Sequence, residues 1–348
     1  MNWLDTPCPV RDPHYQQHAE QRQSQLTKPP GSLGRLEKCA IRLADLQQTN
    51  QPDVESIAIS VFAADHGVAA EGVSAFPQEV TVQMVANFLH GGAAISVMAK
   101  HLDARLEVVD VGTLSPLPEQ QGLVSHRAGN GTANSVNQPA MTQQQLEVAL
   151  SAGREAIERA RQQDAKLFIG GEMGIANTTS AAVLYSALLG LTAEQSTGAG
   201  TGLDDKGIQH KTDIVSQILK RHESCGDDAL QWLRCTGGFE IAALTGAYIR
   251  AAQCGIPILV DGFISTAAAL CAVKLLPGVN DYLFFSHLSA EQGHHIALEM
   301  LQQQPLLDLG MRLGEGSGAA VAASLLQSAC VLHNQMATFA EAAVSSKQ

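Results

Sequence analysis

Five short apolar runs, each ending in glycine, aspartate or another small polar residue, constrain the fold of this chain more than any other feature. The runs do not alternate between apolar and polar residues, which is typical of strands covered on both faces of a sheet. They are IAISVFAADHG (57–67), RLEVVDVGT (105–113), AKLFIGGEMG (165–174), IPILVDGFIS (256–265) and DYLFFSHLS (281–289). The sequence therefore predicts a sheet of buried strands.

Helical segments separate these runs. Helices are predicted over 141–163, where Leu, Ala and Ile recur near the helical period, and over 213–222 and 239–255, the last of which stops at Gly255. Strands that alternate with helices favour an α/β fold in which a parallel sheet is wrapped by helices. Ligands bind such folds at the carboxyl ends of the strands.

The two ends of the chain differ from its middle. Residues 14–48 and 318–345 look helical throughout. We therefore expect a small helical domain built from both termini, 1–49 plus 318–348, beside a large α/β domain over 50–317. With 348 residues, 45% of them hydrophobic, the chain is long and apolar enough to bury a full core.

Charge and cysteine usage exclude several classes of protein. The formal net charge is −12 and no run of basic residues occurs, which argues against nucleic-acid binding. The N-terminus lacks the pattern of a signal peptide, and no uninterrupted apolar stretch is long enough for a membrane span. The seven cysteines are scattered without a CxxC pair, so neither a disulfide framework nor a zinc ribbon is indicated. We expect a cytoplasmic protein.

A glycine-rich turn follows the third apolar run. The segment GGEMGIANTTSAA (170–182) ends a predicted strand and begins a predicted helix, so its backbone N–H groups with Thr178 and Thr179 can hold an anion. Equally, it can be a tight turn that Asn or Thr caps. Glu172 is harder to explain structurally, because a carboxylate directly after a buried strand should be paired or face a ligand.

A second glycine cluster, TGAGTGLDDKGIQHK (197–211), has the pattern G-x-G-x-G. This pattern is neither the dinucleotide fingerprint nor a P-loop. The segment is either a flexible phosphate-binding loop supported by Lys206 or Lys211, or a mobile loop beside two solvated lysines.

Two further segments have the pattern of a helix start. In SHLSAEQGHH (286–295), Ser289 and Gln292 have the spacing of a capping box, although a serine at a strand end can also bind phosphate. His294 and His295 point in different directions on a helix, so no metal site is predicted. In KPPGSLGRLE (28–37), Ser32 is a candidate N-cap of a rigid helix entry.

Glu315 lies between two glycines in LGMRLGEGSGAA (309–320). A charged residue without bulky neighbours is either part of a solvated turn or a base held against a ligand. The segment alone leaves both interpretations open.

Five segments taken together resemble one family. The chain is similar, from about residue 20 to residue 335, to the nicotinate-nucleotide:dimethylbenzimidazole phosphoribosyltransferases of cobalamin biosynthesis. The segments carrying the resemblance, in the family's order, are KPPGSLGRLE, ADHGVAAEGVSAFPQEVT, GGEMGIANTT, GTGLDDKGIQHK and MRLGEGSGAA. The resemblance implies a Rossmann-like large domain, a small helical domain from both chain ends, and a homodimer.

The resemblance also implies an activity. Such enzymes transfer the 5-phosphoribosyl group of nicotinate mononucleotide to 5,6-dimethylbenzimidazole with inversion at C1′, giving α-ribazole 5′-phosphate and nicotinate. Their catalytic base matches Glu315, and Glu172 lies in a turn that lines the nucleotide site and assists. The implied phosphate- and ribose-binding residues are Gly174, Asn177, Thr178, Gly200, Gly202, Lys211 and Ser289. The implied azole-binding residues are Phe76, Met84 and Leu313.

The chemistry is consistent with a glycine-flanked carboxylate. The azole attacks C1′ through one ring nitrogen while the other still carries a proton, and a carboxylate beside that N–H removes it as the bond forms. Nicotinate leaves from a pyridinium glycoside and no pyrophosphate departs, so neither a metal nor another cofactor is expected. Two alternatives remain: another acceptor (adenine, another benzimidazole or a phenolic), or a nucleotide-binding protein without turnover.

Overall fold

The computed structural model describes residues 2–200 and 202–345. Its strands are β1 (Ile57–Ala64), β2 (Arg105–Gly112), β3 (Leu123–Ser125), β4 (Leu167–Met173), β5 (Ile258–Val260) and β6 (Leu283–Phe285). Its helices are α1 (Pro13–Gln25), α2 (Arg35–Gln47), α3 (Glu79–Leu89), α4 (Ala94–His101), α5 (Gln143–Gln162), α6 (Asn177–Leu189), α7 (Ala193–Ser196), α8 (Asp205–Arg221), α9 (Ala229–Thr236), α10 (Phe239–Gln253), α11 (Phe263–Leu275), α12 (Gln292–Met300) and α13 (Ser317–Gln335).

The six strands form one parallel sheet with the order β3-β2-β1-β4-β5-β6. This is the order of a doubly wound, Rossmann-like fold, so the predicted fold class is confirmed. All five predicted strands are present. The strand β3 was not predicted, because β3 has only three residues, is half-buried, and pairs with β2 alone at the edge of the sheet.

The strand order changes direction between β1 and β4. From β1 the chain adds β2 and β3 toward one edge of the sheet, and from β4 it adds β5 and β6 toward the other edge. In folds of this type a crevice opens outside the carboxyl ends of the strands at that point. Every residue of β1 is buried, which explains why its sequence shows no alternation. The fold therefore places the glycine turn after β4 beside a natural ligand crevice.

Close packing of α5 against α10 covers one face of the sheet. A Cβ added to Gly153 or Gly246 would overlap the backbone of the other helix, at Ala243 or Leu150. The glycines therefore let the two helices approach closely. Almost all of α10 is buried, as expected for a helix that is apolar all round.

The predicted helix over 213–222 is correct but too short. In the structure α8 begins at Asp205, and the Asp204 side chain accepts a hydrogen bond from the backbone N–H of Gly207 as its N-cap. Lys206 and Lys211 are therefore helical, and the expectation of a loop as far as residue 211 was wrong. The apolar positions were too sparse in the first turns of α8 to mark it as a helix.

The prediction that residues 14–48 and 318–345 are helical throughout was also wrong in part. Residues 26–34 separate α1 from α2 at the prolines and glycines of KPPGSLG, and α13 ends before Met336. Arg22 in α1 donates hydrogen bonds to the carbonyls of His333, Asn334 and Met336, so the two chain ends do pack together. The division into domains at 50 and 317 stays a prediction, and its Met1 and residues 346–348 lie outside the described residues.

Two predicted N-caps were wrong. The N-cap of α2 is Gly34, not Ser32, and α12 begins after Glu291, not after Ser289. The chain continues for two residues beyond Ser289 before it turns, and the Ser289 hydroxyl accepts a hydrogen bond from the Glu291 backbone N–H at 3.3 Å. Ser289 is thereby left facing the crevice.

One segment of the described chain, Glu79–His101, is long and apolar enough to cross a membrane by composition. It is not one continuous helix, because α3 and α4 are separate helices of 11 and 8 residues. A membrane-spanning helix needs about 20 residues, so neither helix is long enough.

Candidate active site

A cavity of about 400 Å³ lies at the carboxyl ends of β4 and β5. It is lined mostly by apolar atoms, with a small number of carboxylates and hydroxyls, which is typical of small-molecule sites. Most of the predicted site residues line it. These are Glu172, Gly174, Asn177, Thr178, Gly200, Ser289, Phe76, Met84, Leu313 and Glu315.

Two predicted residues do not line the cavity. Gly202 is exposed and lies outside it. Lys211 is 1% exposed and lies behind the wall, where its Nζ donates a hydrogen bond to Thr178 Oγ1 at 2.8 Å. Lys206, the other lysine considered for this role, is exposed in the first turn of α8.

Glu172 and Glu315 both line the cavity, the first from β4 and the second from the turn before α13. A Cβ on Gly171 would overlap the backbone carbonyl of Glu315, and a Cβ on Gly314 would overlap the Glu172 carboxylate. The glycines therefore let the two segments interlock. Glu315 has φ of 66°, an uncommon left-handed conformation for a residue with a side chain.

Both carboxylates are buried, at 5% and 6% exposure for Glu172 and Glu315. The solvated-turn interpretation of Glu315 is therefore wrong. Burial, with the nearby charges of Glu240 and Asp261, raises the pKa of Glu172 to about 8, although the Asn177 amide donates a hydrogen bond to it. Burial also raises the pKa of Glu315, as does Asp261, against the opposing effect of the Ile95 backbone N–H at the start of α4.

Glu315 retains unused hydrogen-bonding capacity. Its Oε2 atom is buried and has no hydrogen-bond partner among residues 2–200 and 202–345. A buried carboxylate oxygen without a partner costs free energy unless a ligand supplies a donor. The site is therefore built to receive an N–H or O–H group at Glu315.

The alternative in which Asn or Thr caps the glycine turn was wrong. The N-cap of α6 is Ala176, with φ of 76° and no side-chain capping bond. Asn177, the first residue of α6, uses its amide on Glu172 instead. The N–H groups of Asn177 and Thr179 donate to the Gly174 and Ala176 carbonyls, whereas the N–H of Thr178 has no backbone acceptor within the described residues.

A second, cationic region lies beside Thr178. Burial lowers the pKa of Lys211 to about 8, although the nearby Glu291 favours its charged form. Within the described residues Lys211 forms no ion pair, and its hydrogen-bond acceptors are Thr178 Oγ1 and the Gly198 carbonyl. Gly200 lies beside both side chains, since a Cβ there would come within 3.1 Å of Lys211 Nζ, and Ser289 lines the same cavity. This arrangement suits a phosphate group, because it offers donors and an incompletely neutralised ammonium.

The mouth of the cavity is apolar. Phe76 and Leu313 are 50% and 59% exposed there, and Met84 and Val80 continue the apolar lining inward. Large exposed apolar side chains beside a cavity are typical of a surface that a ligand or another chain covers.

Five polar residues of the lining were not predicted from the sequence: Asp261, Ser265, His287, Glu291 and Arg312. Asp261 is 1% exposed and directly follows β5, and Glu172 is the last residue but one of β4. The signal that drew attention to Glu172, a carboxylate after a buried strand, was therefore present in LVDG too. Nothing in the sequence marks His287, Glu291 or Arg312.

A buried histidine–glutamate pair supports the glycine turn from behind. His66 Nε2 lies 2.6 Å from Glu240 Oε1, both side chains are fully buried, and His66 Nδ1 lies 3.1 Å from Ser180 Oγ. A Cβ on Gly174 would come within 3.2 Å of the His66 ring. The histidine of ADHGV thus packs under the turn.

The histidines of SHLSAEQGHH have different surroundings. The His294 ring is fully buried between Thr266 Oγ1, at 2.9 Å, and the Ser289 backbone N–H, and burial lowers its pKa to about 3. His295 is exposed. In the part of the chain that the structure describes, no three His, Cys, Asp or Glu residues form a group that could hold a metal. The expectation of no metal stays a prediction.

Comparisons with known proteins identify relatives along nearly the whole chain. Residues 8–344 match the family model described as "Phosphoribosyltransferase". A nicotinate-nucleotide–dimethylbenzimidazole phosphoribosyltransferase of Pseudomonas putida W619 is 56% identical over 345 residues, 99% of this chain and 98% of that protein. One of Pseudomonas aeruginosa LESB58 is 55% identical over the same shares of both chains.

Two solved structures superpose closely on this chain. The crystal structure of CobT from Thermus thermophilus superposes with a TM-score of 0.93 and 48% identity, and the alignment covers 96% of this chain and 100% of that one. A second structure, of the nicotinate-nucleotide–dimethylbenzimidazole phosphoribosyltransferase from the same organism, gives a TM-score of 0.92 and 47% identity over 97% and 100%.

Proposed function

Because the chain belongs to the phosphoribosyltransferase family of the nicotinate-nucleotide–dimethylbenzimidazole type, we propose that it makes α-ribazole 5′-phosphate for cobalamin. It is a glycosyltransferase that acts on small molecules. The reaction moves the 5-phosphoribosyl group of nicotinate mononucleotide to 5,6-dimethylbenzimidazole, releases nicotinate and inverts C1′.

The observation that carries the proposal is the buried carboxylate of Glu315 in the wall of an apolar cavity, with one of its two oxygens unpartnered within the described residues. Its Oε2, which has no partner within the described residues, can accept the N–H proton of the azole as the other ring nitrogen attacks C1′. A raised pKa makes Glu315 a stronger base than an ordinary glutamate. General-base catalysis of this kind contributes roughly 10²–10⁴-fold.

Glu172 has a different role in this mechanism. Its pKa of about 8 keeps it protonated at neutral pH, so it donates a hydrogen bond while Glu315 accepts a proton. Two carboxyl groups whose surroundings give them different protonation states can divide the acid and base roles in this way. The donated hydrogen bond orients a sugar or azole atom between the two side chains.

Phosphate binding fixes the other end of the substrate. The group lies against Thr178, Ser289, Gly200 and the first turn of α6, with Lys211 behind them. Such anchoring holds C1′ at a fixed distance from the base and reduces the entropic cost of bringing two substrates together. The apolar walls exclude water, which would otherwise hydrolyse the pyridinium glycoside.

The acceptor ring lies between Phe76, Met84 and Leu313. These side chains are apolar, so they select a flat apolar ring by shape and leave its recognition as an N–H donor to Glu315. A hydrophobic pocket discriminates only weakly between rings that differ by a methyl group. Adenine, other benzimidazoles and phenolics are therefore tested beside dimethylbenzimidazole.

The protein works as a homodimer in the cytoplasm, in this proposal. The exposed apolar side chains at the cavity mouth, Phe76 and Leu313, support a partner there. In the described chain all seven cysteines are free thiols, consistent with a reducing compartment. Light scattering during size-exclusion chromatography measures the mass directly: a mass near 36.7 kDa, that of one chain, would contradict the dimer.

The reaction is tested by giving the purified protein nicotinate mononucleotide with an equimolar mixture of dimethylbenzimidazole, benzimidazole, adenine and phenol. Mass spectrometry identifies the ribotide formed, and nicotinate release is followed with and without acceptor. The expected result is acceptor-dependent release with α-ribazole phosphate as the main product. A purine or phenolic ribotide would reassign the acceptor, and tight nucleotide binding without turnover would leave a binding protein.

A further inference from the structure

Asp261 connects the end of β5 to the first turn of α13. Its side chain is buried, and its two oxygens accept different backbone N–H groups of that turn. Oδ2 accepts from Gly316 at 3.2 Å and Oδ1 from Ala319 at 2.9 Å. A carboxylate at this position satisfies N–H groups that a helix start leaves free, and its charge is stabilised by the helix dipole.

This cap acts directly beside Glu315. Glu315 precedes Gly316, the N-cap residue of α13, which has no side-chain cap of its own. The Ser317 hydroxyl donates to the Gly314 carbonyl at 2.7 Å, which closes the turn but satisfies none of its N–H groups. A left-handed residue such as Glu315 persists only where its surroundings hold it. The Asp261 cap supplies such a restraint.

The charge of Asp261 has a partner on the other side. His287 Nε2 lies 3.6 Å from Asp261 Oδ1, and both side chains are almost fully buried. Burial lowers the pKa of His287, but the nearby Asp261 carboxylate and the Leu288 backbone favour the protonated ring and outweigh burial, so the net direction is upward. His287 Nδ1 has no hydrogen-bond partner within the described residues, so Asp261 is its principal polar contact.

We infer that Asp261 is a positioning residue for the transfer reaction: it holds the turn of Glu315 against the cavity, and His287 balances its charge. The inference rests on the proposed function. Asp261 acts on the base through the backbone of α13 and needs no contact with either substrate.

Asp261 also influences the protonation of both glutamates, because its charge raises the pKa of Glu172 and of Glu315. The groups that face it are Glu172 from β4, Tyr248 from α10, His287 after β6 and Glu315 before α13. Removing the negative charge should lower the pKa of both glutamates. Removing His287 should raise them, because Asp261 then lacks its cation.

The test compares Asp261→Asn with a matched variant, Asp110→Asn. Asp110 is also 1% exposed and accepts two backbone N–H groups, from Gly112 at 3.0 Å and Thr113 at 2.9 Å, but it lies outside the cavity. In Asp261→Asn, kcat should fall about 10–100-fold, the loss expected from hydrogen bonds to a charged group. KM for nicotinate mononucleotide should change by less than about threefold, because the phosphate region is untouched.

Two readouts separate positioning from a merely structural role. The acid limb of the kcat profile should move to lower pH in Asp261→Asn and to higher pH in His287→Gln, whereas Asp110→Asn should leave it in place. Amide hydrogen exchange of residues 316–319 should be faster in Asp261→Asn only. If Asp261→Asn does not fold, the acid limb of His287→Gln still tests the inference, because this variant keeps both hydrogen bonds between Asp261 and α13.

An unmoved acid limb in both cavity variants, or a kcat loss in Asp261→Asn no larger than that in Asp110→Asn, would overturn the inference. Unchanged exchange of residues 316–319 in a folded Asp261→Asn would also overturn it, whether or not the enzyme turns over. Failure of the proposed function is distinguishable, because it appears in the wild-type protein as the absence of acceptor-dependent nicotinate release.

Discussion

Replacing Glu315 with glutamine tests the centre of the mechanism. The amide keeps the shape of the side chain and the left-handed turn but cannot accept the azole proton. Loss of the general base should lower kcat by roughly 10²–10⁴-fold, or about 3–5 kcal/mol in the barrier. Affinity for nicotinate mononucleotide should stay within about twofold, because in the proposed mechanism the phosphate is held beside Thr178 and Lys211 and not by Glu315.

The structure also predicts that this variant folds well. A carboxyl group whose pKa is raised on folding binds its proton more tightly in the folded than in the unfolded state, so it stabilises less as pH rises. Glu315 is such a group. The neutral glutamine removes that effect, and the melting temperature of Glu315→Gln should equal or exceed that of the wild type above neutral pH.

The assay measures α-ribazole phosphate by chromatography and mass spectrometry, with nucleotide binding followed by calorimetry. Wild-type activity should fall on the acid side as Glu315 becomes protonated, and at higher pH than an ordinary glutamate would give. The residual activity of Glu315→Gln should lack that acid limb. Glu147→Gln, an exposed glutamate on α5, is the control. A Glu315→Gln enzyme with kcat within about fivefold of wild type would refute the base role.

Other substitutions probe the rest of the site. Lys211→Ala should raise KM for nicotinate mononucleotide about 10–100-fold through loss of a charge-assisted contact, with little effect on KM for the azole. Steady-state kinetics measure both values, and Lys206→Ala, the control, should change neither. If Lys211→Ala raises both KM values equally, its role is structural. Wild-type KM for the nucleotide should rise above about pH 8 as Lys211 loses its proton, and a flat profile would contradict this. Glu172→Gln should raise the melting temperature by an amount that grows as the pH rises from about 4.5 to about 8 and then stays constant, because folding must protonate or desolvate a carboxylate that is ionised in the unfolded chain. Equal melting temperatures at all pH values would mean that Glu172 is not desolvated. Phe76→Ala should weaken binding of the azole but not of the nucleotide, and a separate titration of each substrate measures the two affinities.

Local patterns determined most of the architecture. Buried strands have continuous apolar runs, and helices between them force parallel pairing, so the sheet followed from the sequence. Errors arose where local signals were weak or misleading. Three half-buried residues are too few to show the pattern of an edge strand such as β3. Ser289 has the spacing of a capping box, but in the structure its backbone N–H donates a hydrogen bond to the His294 ring.

The site residues also divide into those that a local sequence signal marks and those that it does not mark. Glu172 and Glu315 were visible because a charge after a buried strand or between glycines needs an explanation, and the resemblance to a family then ordered the rest. Asp261 carries the first of these signals but was not recognised, and His287 carries neither. The glycine cluster alone left open whether Lys206 or Lys211 supports it, and the resemblance indicated Lys211. In the structure Lys211 is buried and Lys206 is exposed.

The sequence by itself determined the fold class, the glycine turns and the two carboxylates that carry the proposed chemistry, since these depend on residue type and short-range spacing. Only the tertiary structure decided which groups share the cavity and how each is charged. Protonation depends on burial and on neighbours that are distant in the chain. The pKa of Glu172 is set by burial beside Glu240 and Asp261, and the turn of Glu315 is capped by a carboxylate 55 positions away.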